Sequence, residues 1–233
     1  MYSKKLDNPE SFFSTIKNNS SIMSGGFGLC GIPENSIDYL AKFSPKNLTI
    51  ISNNIGNSGR GLVKLLKKNM ISKAICSYVG GNPDLEERII NGDIEVILTP
   101  QGSFIEKIRS AGAGIPAFYT PTGGDTEIEN GKETRIFNGK KCLLEEALYA
   151  DYSIIKATVG DEFGNLYFEG TSKNFSPLMA MAAKTTIVEV EKLVPIGELE
   201  PDLVQLPGIF VKHIYLGKDY RNDIEFLIEK KGF

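Results

Sequence analysis

Short runs of β-branched and aliphatic residues alternate along the chain with segments whose apolar residues recur at helical spacing. This alternation predicts an α/β fold, with a mostly parallel, open sheet flanked by helices. The predicted strands cover residues 20–24, 48–51, 74–79, 94–98, 151–159 and 185–190. The predicted helices begin at Pro33, cover 61–70 and 83–90, resume around Phe104 and end with 177–184.

The middle of the chain, residues 115–145, has a different pattern. Asn130-Gly131 and Asn138-Gly139 are both typical of tight hairpin turns in which φ is positive. We therefore expect a small antiparallel, β-rich excursion in this region. Because no internal repeat and no linker-like segment is apparent, we expect residues 1–233 to form one domain that carries this excursion.

Ten residues between the first predicted strand and the first predicted helix, 24–33, contain four glycines and one proline. We call Gly25–Gly31 the glycine loop. A loop of this kind can turn sharply and present backbone N–H groups to an anion, assisted by the dipole of the following helix. Gly26, Gly28 and Gly31 also match the dinucleotide-binding pattern G-x-G-x-x-G.

A dinucleotide site requires a carboxylate about 20 residues further on, at the end of the second strand. That strand ends here in Ser52-Asn53-Asn54, so a dinucleotide site is disfavoured. Two interpretations of the glycine loop remain open on the residues alone. It could hold another phosphorylated cofactor, or it could be a tight turn that binds nothing.

Polar, uncharged residues follow three successive predicted strands: the glycine loop, Asn53-Asn54 and Gln101-Gly102. In a parallel sheet, ligands bind outside the carboxyl ends of the strands. Asn and Gln donate hydrogen bonds without carrying charge, which suits a carboxylate or a thioester carbonyl oxygen. Each residue alone could be a turn former, but the three loops together predict a binding site.

The charge balance and the apolar runs exclude several classes of protein. The 233 residues include 26 basic and 29 acidic side chains, a formal net charge of −3, which disfavours nucleic-acid binding. No apolar run approaches the roughly 20 residues of a membrane span, and the first residues do not resemble a signal peptide. We therefore expect a cytoplasmic protein that binds neither nucleic acid nor a membrane.

Cysteine and histidine offer little chemistry. Cys30, Cys76 and Cys142 are widely spaced and odd in number, which indicates a reducing compartment and neither a disulfide framework nor a zinc site. His213 is the only histidine and lies in a strand-like run, 208–215, so we expect a structural role. No metal is predicted.

The acidic residues yield no nucleophile. Glu86-Glu87 and Glu145-Glu146 lie on segments with a helical pattern and are predicted to be surface acids. Glu34 follows Pro33 and is expected in the first turn of a helix, where it would interact favourably with the dipole. No G-x-S-x-G motif is present, so a hydrolase triad is not indicated.

Motifs along nearly the whole chain, from about residue 18 to 220, resemble the A subunit of the family I coenzyme A transferases, the 3-oxoacid CoA-transferases. They are N-N-S-S-I-M-S-G-G-F-G-L-C-G-I-P at 18–33, S-N-N-I-G at 52–56, T-P-Q-G at 99–102, A-G-A-G-I-P-A-F-Y-T-P-T-G at 111–123, K-N-F-S-P-L at 173–178, E-L-E-P-D at 198–202 and L-P-G-I-F-V at 206–211. Asn53-Asn54 and residues 116–120 look closer to the succinyl-CoA:3-oxoacid branch than to the acetate–acetoacetate branch. The chain departs from the family pattern at Ser24, where the family usually has an aliphatic residue. It also departs at 168–173, including Glu169-Gly170, where related chains more often carry basic residues.

The resemblance implies a ping-pong transfer of coenzyme A through an acyl-glutamyl anhydride and a glutamyl-CoA thioester. The nucleophilic glutamate belongs to an S-E-N-G motif of a partner, the B subunit, and this sequence contains no such motif. Its nearest string, Pro33-Glu34-Asn35-Ser36, lies elsewhere. The chain alone is therefore expected to be inactive and to work with the B subunit, as a heterotetramer.

The resemblance also implies roles for particular residues. Asn53, Asn54 and Gln101 would orient acyl and carboxylate oxygens, with Gln101 supporting catalysis, and the substrates would be an acyl-CoA and a short 3-oxoacid. Coenzyme A itself, a substrate, would contact Gly25, Gly26, Phe27, Gly28, Leu29, Cys30 and Gly31. Alternatives are an acetate–acetoacetate, 3-oxoadipate or glutaconate-type transferase, or a non-catalytic CoA-binding chain.

Overall fold

The computed structural model of the chain describes residues 2–57 and 59–220. The strands among them are β1 (Ser21–Ser24), β2 (Leu48–Ile51), β3 (Ile71–Cys76), β4 (Glu95–Leu98), β5 (Ala117–Thr120), β6 (Thr134–Phe137), β7 (Lys140–Glu146), β8 (Ala150–Asp161), β9 (Leu166–Tyr167), β10 (Ala183–Val194) and β11 (His213–Leu216). The α-helices are α1 (Glu10–Phe13), α2 (Glu34–Phe43), α3 (Val63–Lys67), α4 (Pro83–Asn91), α5 (Gln101–Gly112) and α6 (Ser176–Ala182). Short 3-10 helices cover Glu127–Glu129, Gly170–Lys173, Pro201–Leu203 and Gly208–Phe210.

The main sheet has the strand order β11-β10-β8-β1-β2-β3-β4, and every neighbouring pair in this order is parallel. Strand β9 adds one short antiparallel pairing to β8. The predicted fold, a mostly parallel α/β sheet, is confirmed. Strand order reverses at β1, because β2, β3 and β4 follow on one side while β8, β10 and β11 lie on the other. Such a reversal opens a crevice at the carboxyl ends of the strands.

Apolar side chains of the central strands are buried on both faces of this sheet. Ile22, Ile50 and Ile154 point to one face and pack with residues of α1, α2, α3 and α4. Their chain neighbours Met23 and Ile51 point to the other face and pack with α5 and α6. Among the described residues, no helix is long and apolar enough to cross a membrane.

The small second sheet, in the order β5-β7-β6, is antiparallel and fulfils the prediction for residues 115–145. Asn138 and Gly139 join β6 to β7 with φ of 50° and 75°, as the hairpin signal predicts. The same prediction was wrong for Asn130, whose φ is −56°. Asn130 and Gly131, with φ of 78°, form a turn after a 3-10 helix and join no two paired strands.

The bounds of several elements differ from the prediction. Strand β3 ends at Cys76, so residues 77–79 belong to a loop rather than to the predicted strand. The helical segment predicted over 61–70 is shortened to α3, and β10 extends beyond both ends of the predicted strand. The strand predicted over 208–215 was wrong in its first half, where Gly208–Phe210 forms a 3-10 helix. A Cβ at Gly208 would lie 2.7 Å from the carbonyl oxygen of Phe163.

Candidate active site

The glycine loop leaves the carboxyl end of β1 and folds back on itself. Gly25 N donates to the carbonyl of Ile154 on β8 over 3.0 Å, which extends the sheet by one bond. Phe27 and Cys30 exchange two backbone hydrogen bonds of 3.0 and 2.9 Å, so that Gly28 and Leu29 form the tip. Gly28 has a φ of 59°, a conformation that favours glycine.

Most N–H groups of the glycine loop already have partners, contrary to the expectation of unpaired donors. Besides the bonds of Gly25, Phe27 and Cys30, Gly26 N donates to Asn174 Oδ1 and Gly28 N to Asn53 Oδ1, each over 3.4 Å. The loop does offer close approach, because a Cβ at Gly28 would meet no atom within 4 Å. It therefore provides an accessible surface rather than an array of free donors.

The N-terminus of α2 is likewise not a vacant anion site. The carboxylate of Glu189, a fully buried residue of β10, accepts hydrogen bonds from Ser36 N at 2.7 Å and Ser36 Oγ at 2.8 Å. Asn35 N and Tyr215 Oη also donate to it, over 3.4 and 3.1 Å. Burial raises the pKa of Glu189 to about 7, against the effect of these donors. Our sequence reasoning missed Glu189, whose one signal is an acid inside an apolar strand.

Asn53, Ser77 and Gln101 meet at the carboxyl ends of β2, β3 and β4. Asn53 Nδ2 donates to Ser77 Oγ and to Gln101 Oε1, both over 2.9 Å, and Ser77 Oγ is also bonded to Gln101 Oε1. Asn54 Nδ2 donates to Asn53 Oδ1 over 3.1 Å, and Asn54 Oδ1 accepts from Gly56 N over 2.9 Å. The sheet thus brings the predicted carboxamides together. Ser77 was missed, because the predicted strand ran past it.

The hydrogen bonds of this cluster leave Gln101 with a donor to offer. Asn53 is buried and uses both its oxygen and its nitrogen within the cluster. Gln101 is half-buried at the start of α5, and its oxygen accepts two bonds. Within residues 2–57 and 59–220, Gln101 Nε2 makes no hydrogen bond, so it can donate to a ligand.

A cavity of about 590 Å³ lies between the glycine loop and this carboxamide cluster. Phe27 and Tyr78 form aromatic walls and are 53% and 59% exposed. The described residues that line it are all uncharged, and we call it the neutral cavity: Phe27, Gly28, Leu29, Asn53, Asn54, Gly56, Asn57, Ser77, Tyr78, Gly80 and Gln101. Its polar floor and apolar walls suit an uncharged polar group attached to an apolar chain.

A second cavity, of about 500 Å³, shares Leu29 with the first, and we call it the charged cavity. Its lining includes Glu34, Asp38, Arg60 and Lys64, from α2, α3 and the loop before α3. Glu34 accepts from Gly61 N over 3.0 Å and lies 2.8 Å from Lys64 Nζ and 3.7 Å from Arg60 Nε. The predicted place of Glu34, the first turn of α2, is confirmed, and its carboxylate also binds α3.

Two predictions about the remaining titratable residues had different outcomes. Glu86 and Glu87 are exposed on α4, as predicted, but Glu145 was wrongly predicted to be a surface acid on a helix. Glu145 lies on β7, is 1% exposed and binds Lys107 at 2.9 Å and Lys132 at 2.5 Å. Burial opposes its ionisation, but hydrogen bonds from Lys132 and Lys107 outweigh burial and lower the pKa of Glu145.

The ring of His213 lies against Phe12, with 5.1 Å between ring centroids, in keeping with the expected structural role. Burial, together with the nearby charge of Lys212, lowers the pKa of His213. Among the described residues, no group of three or more His, Cys, Asp or Glu side chains is arranged to hold a metal ion.

The parallel sheet, the reversal of strand order and the neutral cavity at the carboxyl ends of its strands define an α/β protein with a candidate small-molecule site. The family model described as coenzyme A transferase matches residues 7–217. The chain belongs to the coenzyme A transferase family, and the predicted class of enzyme, a CoA transferase, is confirmed.

Two curated relatives and one solved structure illustrate the likeness. The A subunit of succinyl-CoA:3-ketoacid coenzyme A transferase of Helicobacter pylori is 52% identical over 222 residues, 95% of this chain and 96% of that protein. The acetoacetyl-CoA:acetate/butyrate CoA transferase alpha subunit of Clostridium acetobutylicum is 45% identical over 90% of this chain and 95% of that protein. Glutaconate coenzyme A-transferase of Acidaminococcus fermentans shares the fold, with a TM-score of 0.80 at 17% identity over 92% of this chain and 75% of that one.

Proposed function

We propose that this chain is the A subunit of an enzyme that moves coenzyme A between succinyl-CoA and a 3-oxoacid such as acetoacetate. The observation that carries the proposal is the neutral cavity, where the free amide donor of Gln101 faces a space walled by the glycine loop. Relatives named as A subunits of succinyl-CoA:3-ketoacid coenzyme A transferases, with 45–52% identity, support the choice of substrates.

The reaction that we propose is a ping-pong exchange. A carboxylate attacks the thioester carbonyl of the acyl-CoA, the CoA thiolate leaves, and an acyl-glutamyl anhydride forms. The thiolate then attacks the glutamyl carbonyl of the anhydride and releases the free acid, which leaves a glutamyl-CoA thioester. The acceptor acid repeats these steps in reverse order.

The residues of this chain would assist through neutral hydrogen bonds. Negative charge develops on the carbonyl oxygen in each step, and Gln101 Nε2 would donate to that oxygen or to a substrate carboxylate. Asn53 would hold Gln101 and the tip of the glycine loop in place, through its bond to Gln101 Oε1 and the bond from Gly28 N to Asn53 Oδ1. Asn54 would hold Asn53 through the bond from its Nδ2 to Asn53 Oδ1. The exposed side of Gly28 would contact coenzyme A.

The nucleophile would come from a partner, the B subunit, because the described lining of the neutral cavity contains no carboxylate. The exposed aromatic walls formed by Phe27 and Tyr78 would be covered when this partner closes the site. We further infer that the chain acts as one domain within a cytoplasmic heterotetramer.

The second candidate is transfer to acetate or butyrate, the substrates in the name of the Clostridium acetobutylicum relative. The uncharged lining favours this candidate as much as the first, since a second carboxylate on the acyl group would find no cation among the described lining residues. The two candidates differ only in which acyl-CoA and which acid the enzyme exchanges.

The decisive experiment is to co-express the chain with a candidate B subunit from the same genome that carries an S-E-N-G motif. The purified complex should exchange CoA between succinyl-CoA and acetoacetate, and each chain alone should be inactive. Acetate and butyrate replace succinate in parallel assays to separate the two candidates. A stable complex that is inactive with all of these acids would contradict the assignment.

A further inference from the structure

Residues 171–176 pack against the glycine loop. A Cβ at Gly31 would clash with the carbonyl oxygen of Ser172, and a Cβ at Gly25 would lie 2.5 Å from Ser176 Oγ. The ring of Phe175 packs edge-on against Phe27, with 6.2 Å between centroids. This segment therefore determines where the loop can lie.

Asn174 is the centre of the contact. Its Oδ1 accepts from Gly26 N at 3.4 Å, from Phe175 N at 2.8 Å, and from Ser176 N and Oγ at 3.2 and 3.1 Å. Its Nδ2 donates to the carbonyl of Ser172 over 2.8 Å. One side chain thus joins the loop to the preceding 3-10 turn and to the start of α6.

The backbone of Asn174 has φ of 35° and ψ of −125°. Side chains with a Cβ are disfavoured in this region, whereas glycine adopts it readily. A residue that keeps a side chain in such a conformation is held there by its surroundings, and conformations of this kind cluster at functional sites. The five hydrogen bonds of the Asn174 side chain supply that restraint.

We propose that Asn174 is a positioning residue, which fixes the glycine loop at the wall of the neutral cavity. The expected effect on turnover rests on the proposed function, because it assumes that the loop contacts coenzyme A. A loop that contacts the substrate equally in the ground state and the transition state changes KM and leaves kcat unchanged.

The experiment uses the complete complex and three variants. Asn174→Gly keeps the backbone conformation accessible and removes the side-chain bonds, whereas Asn174→Asp keeps the accepting oxygen. Asn138→Gly is the matched control, because Asn138 also has a positive φ, of 50°, but lies in the hairpin between β6 and β7. Hydrogen–deuterium exchange of residues 25–31 and steady-state kinetics with succinyl-CoA are measured for each.

In Asn174→Gly, we expect amides of residues 25–31 to exchange about tenfold faster and KM for succinyl-CoA to rise about tenfold, with kcat within about twofold. Asn138→Gly should remain near wild type in both measurements, whereas Asn174→Asp, which keeps the oxygen that accepts from Gly26 N but loses the donor to the Ser172 carbonyl, should lie between wild type and Asn174→Gly. A lower kcat at unchanged KM would indicate only loss of folded enzyme and overturn the proposal, as would unchanged loop exchange. If the wild-type complex transfers no CoA, the proposed function fails. The hydrogen–deuterium exchange of residues 25–31 then decides the role of Asn174 by itself.

Discussion

The neutral cavity and the charged cavity lie on either side of Leu29, and they differ in how their polar groups are used. In the charged cavity, the acids and bases bind one another: Lys64 lies 2.8 Å from Glu34 and 2.6 Å from Asp38. In the neutral cavity, Gln101 keeps a donor without a partner among the described residues. The charged cavity is therefore not the better binding site of the two, because a charged ligand would have to displace the existing ion pairs.

The same contrast holds deeper in the fold. Beneath the charged cavity, the N-terminus of α2 is already bound by Glu189, although a helix N-terminus after a glycine-rich loop is a frequent anion site. A carboxylate of the protein itself can thus accept the hydrogen bonds of a helix N-terminus that a sequence motif would assign to a ligand. Ion pairs of Glu34 and Lys64 join α2 to α3, whereas Gln101 Nε2 in the neutral cavity is not bound to another described residue.

The largest expected effect is on the turnover of the complex, which should depend on the neutral cavity and not on the charged cavity. Gln101→Ala should lower kcat of the complex about 100-fold, the usual effect of removing one donor to a developing oxyanion. Asp38→Asn, in the charged cavity, and Gln205→Ala, the same truncation at an exposed carboxamide, should retain wild-type rates. Steady-state assays check the rates, and gel filtration checks that the two chains stay associated. An unaffected rate in Gln101→Ala would remove Gln101 from the site.

The next effect is on stability and arises from Glu189. Its pKa rises from 4.5 to about 7 on folding. The folded state thus holds the proton more tightly, so the stabilisation is complete below pH 4.5 and is lost as the pH rises through 7. Raising the pH from 5 to 7 should therefore lower the free energy of unfolding by about 2 kcal/mol through this group.

Urea unfolding of the complex at pH 5, 6 and 7 measures this loss. Glu189→Gln should flatten the pH profile, because the amide does not titrate, whereas Glu86→Gln, at an exposed acid of α4, should keep the wild-type profile. If wild type and Glu189→Gln lose stability in parallel over this range, Glu189 does not carry the proton.

The parts of the fold that follow from local pattern were predictable from the sequence. Alternating strands and helices gave the parallel sheet, and parallel geometry then placed Asn53 and Gln101 at the same edge. Ser77 was not predicted as a site residue because the prediction ended β3 three residues too late. Side chains of a strand alternate between its two faces, so the residue at which the strand ends decides which side chains reach the site. The catalytic roles assigned to the site residues stay predictions.

Burial of charge could not be predicted, because the partners are distant along the chain. Glu189 and Ser36 are 153 residues apart, and Glu145 meets Lys107 across 38 residues. Glu145 and Glu146 follow one another in a strand and therefore point to opposite faces, but the local pattern does not show which face is covered by Lys107 and Lys132. The same reason applies to the N–H groups of Gly25, Gly26 and Gly28, whose partners are Ile154, Asn174 and Asn53.

The smallest effect concerns Glu34, in the charged cavity. Glu34→Gln should lower the free energy of unfolding by about 1.5 kcal/mol, because it weakens the interactions with Lys64 and Arg60 at a partly buried position. Glu86→Gln is the matched control, since Glu86 also lies in the first turn of a helix but is exposed, and about 0.5 kcal/mol is expected from the dipole alone.

Urea unfolding at low and high salt gives both values, and the difference between the variants should shrink as salt screens the pairs. CoA exchange by Glu34→Gln should equal that of wild type, because the charges of this cavity serve the packing of α2 against α3. If Glu34→Gln instead raises KM for the acyl-CoA while stability is unchanged, the charged cavity takes part in binding, and the division between the two cavities is wrong.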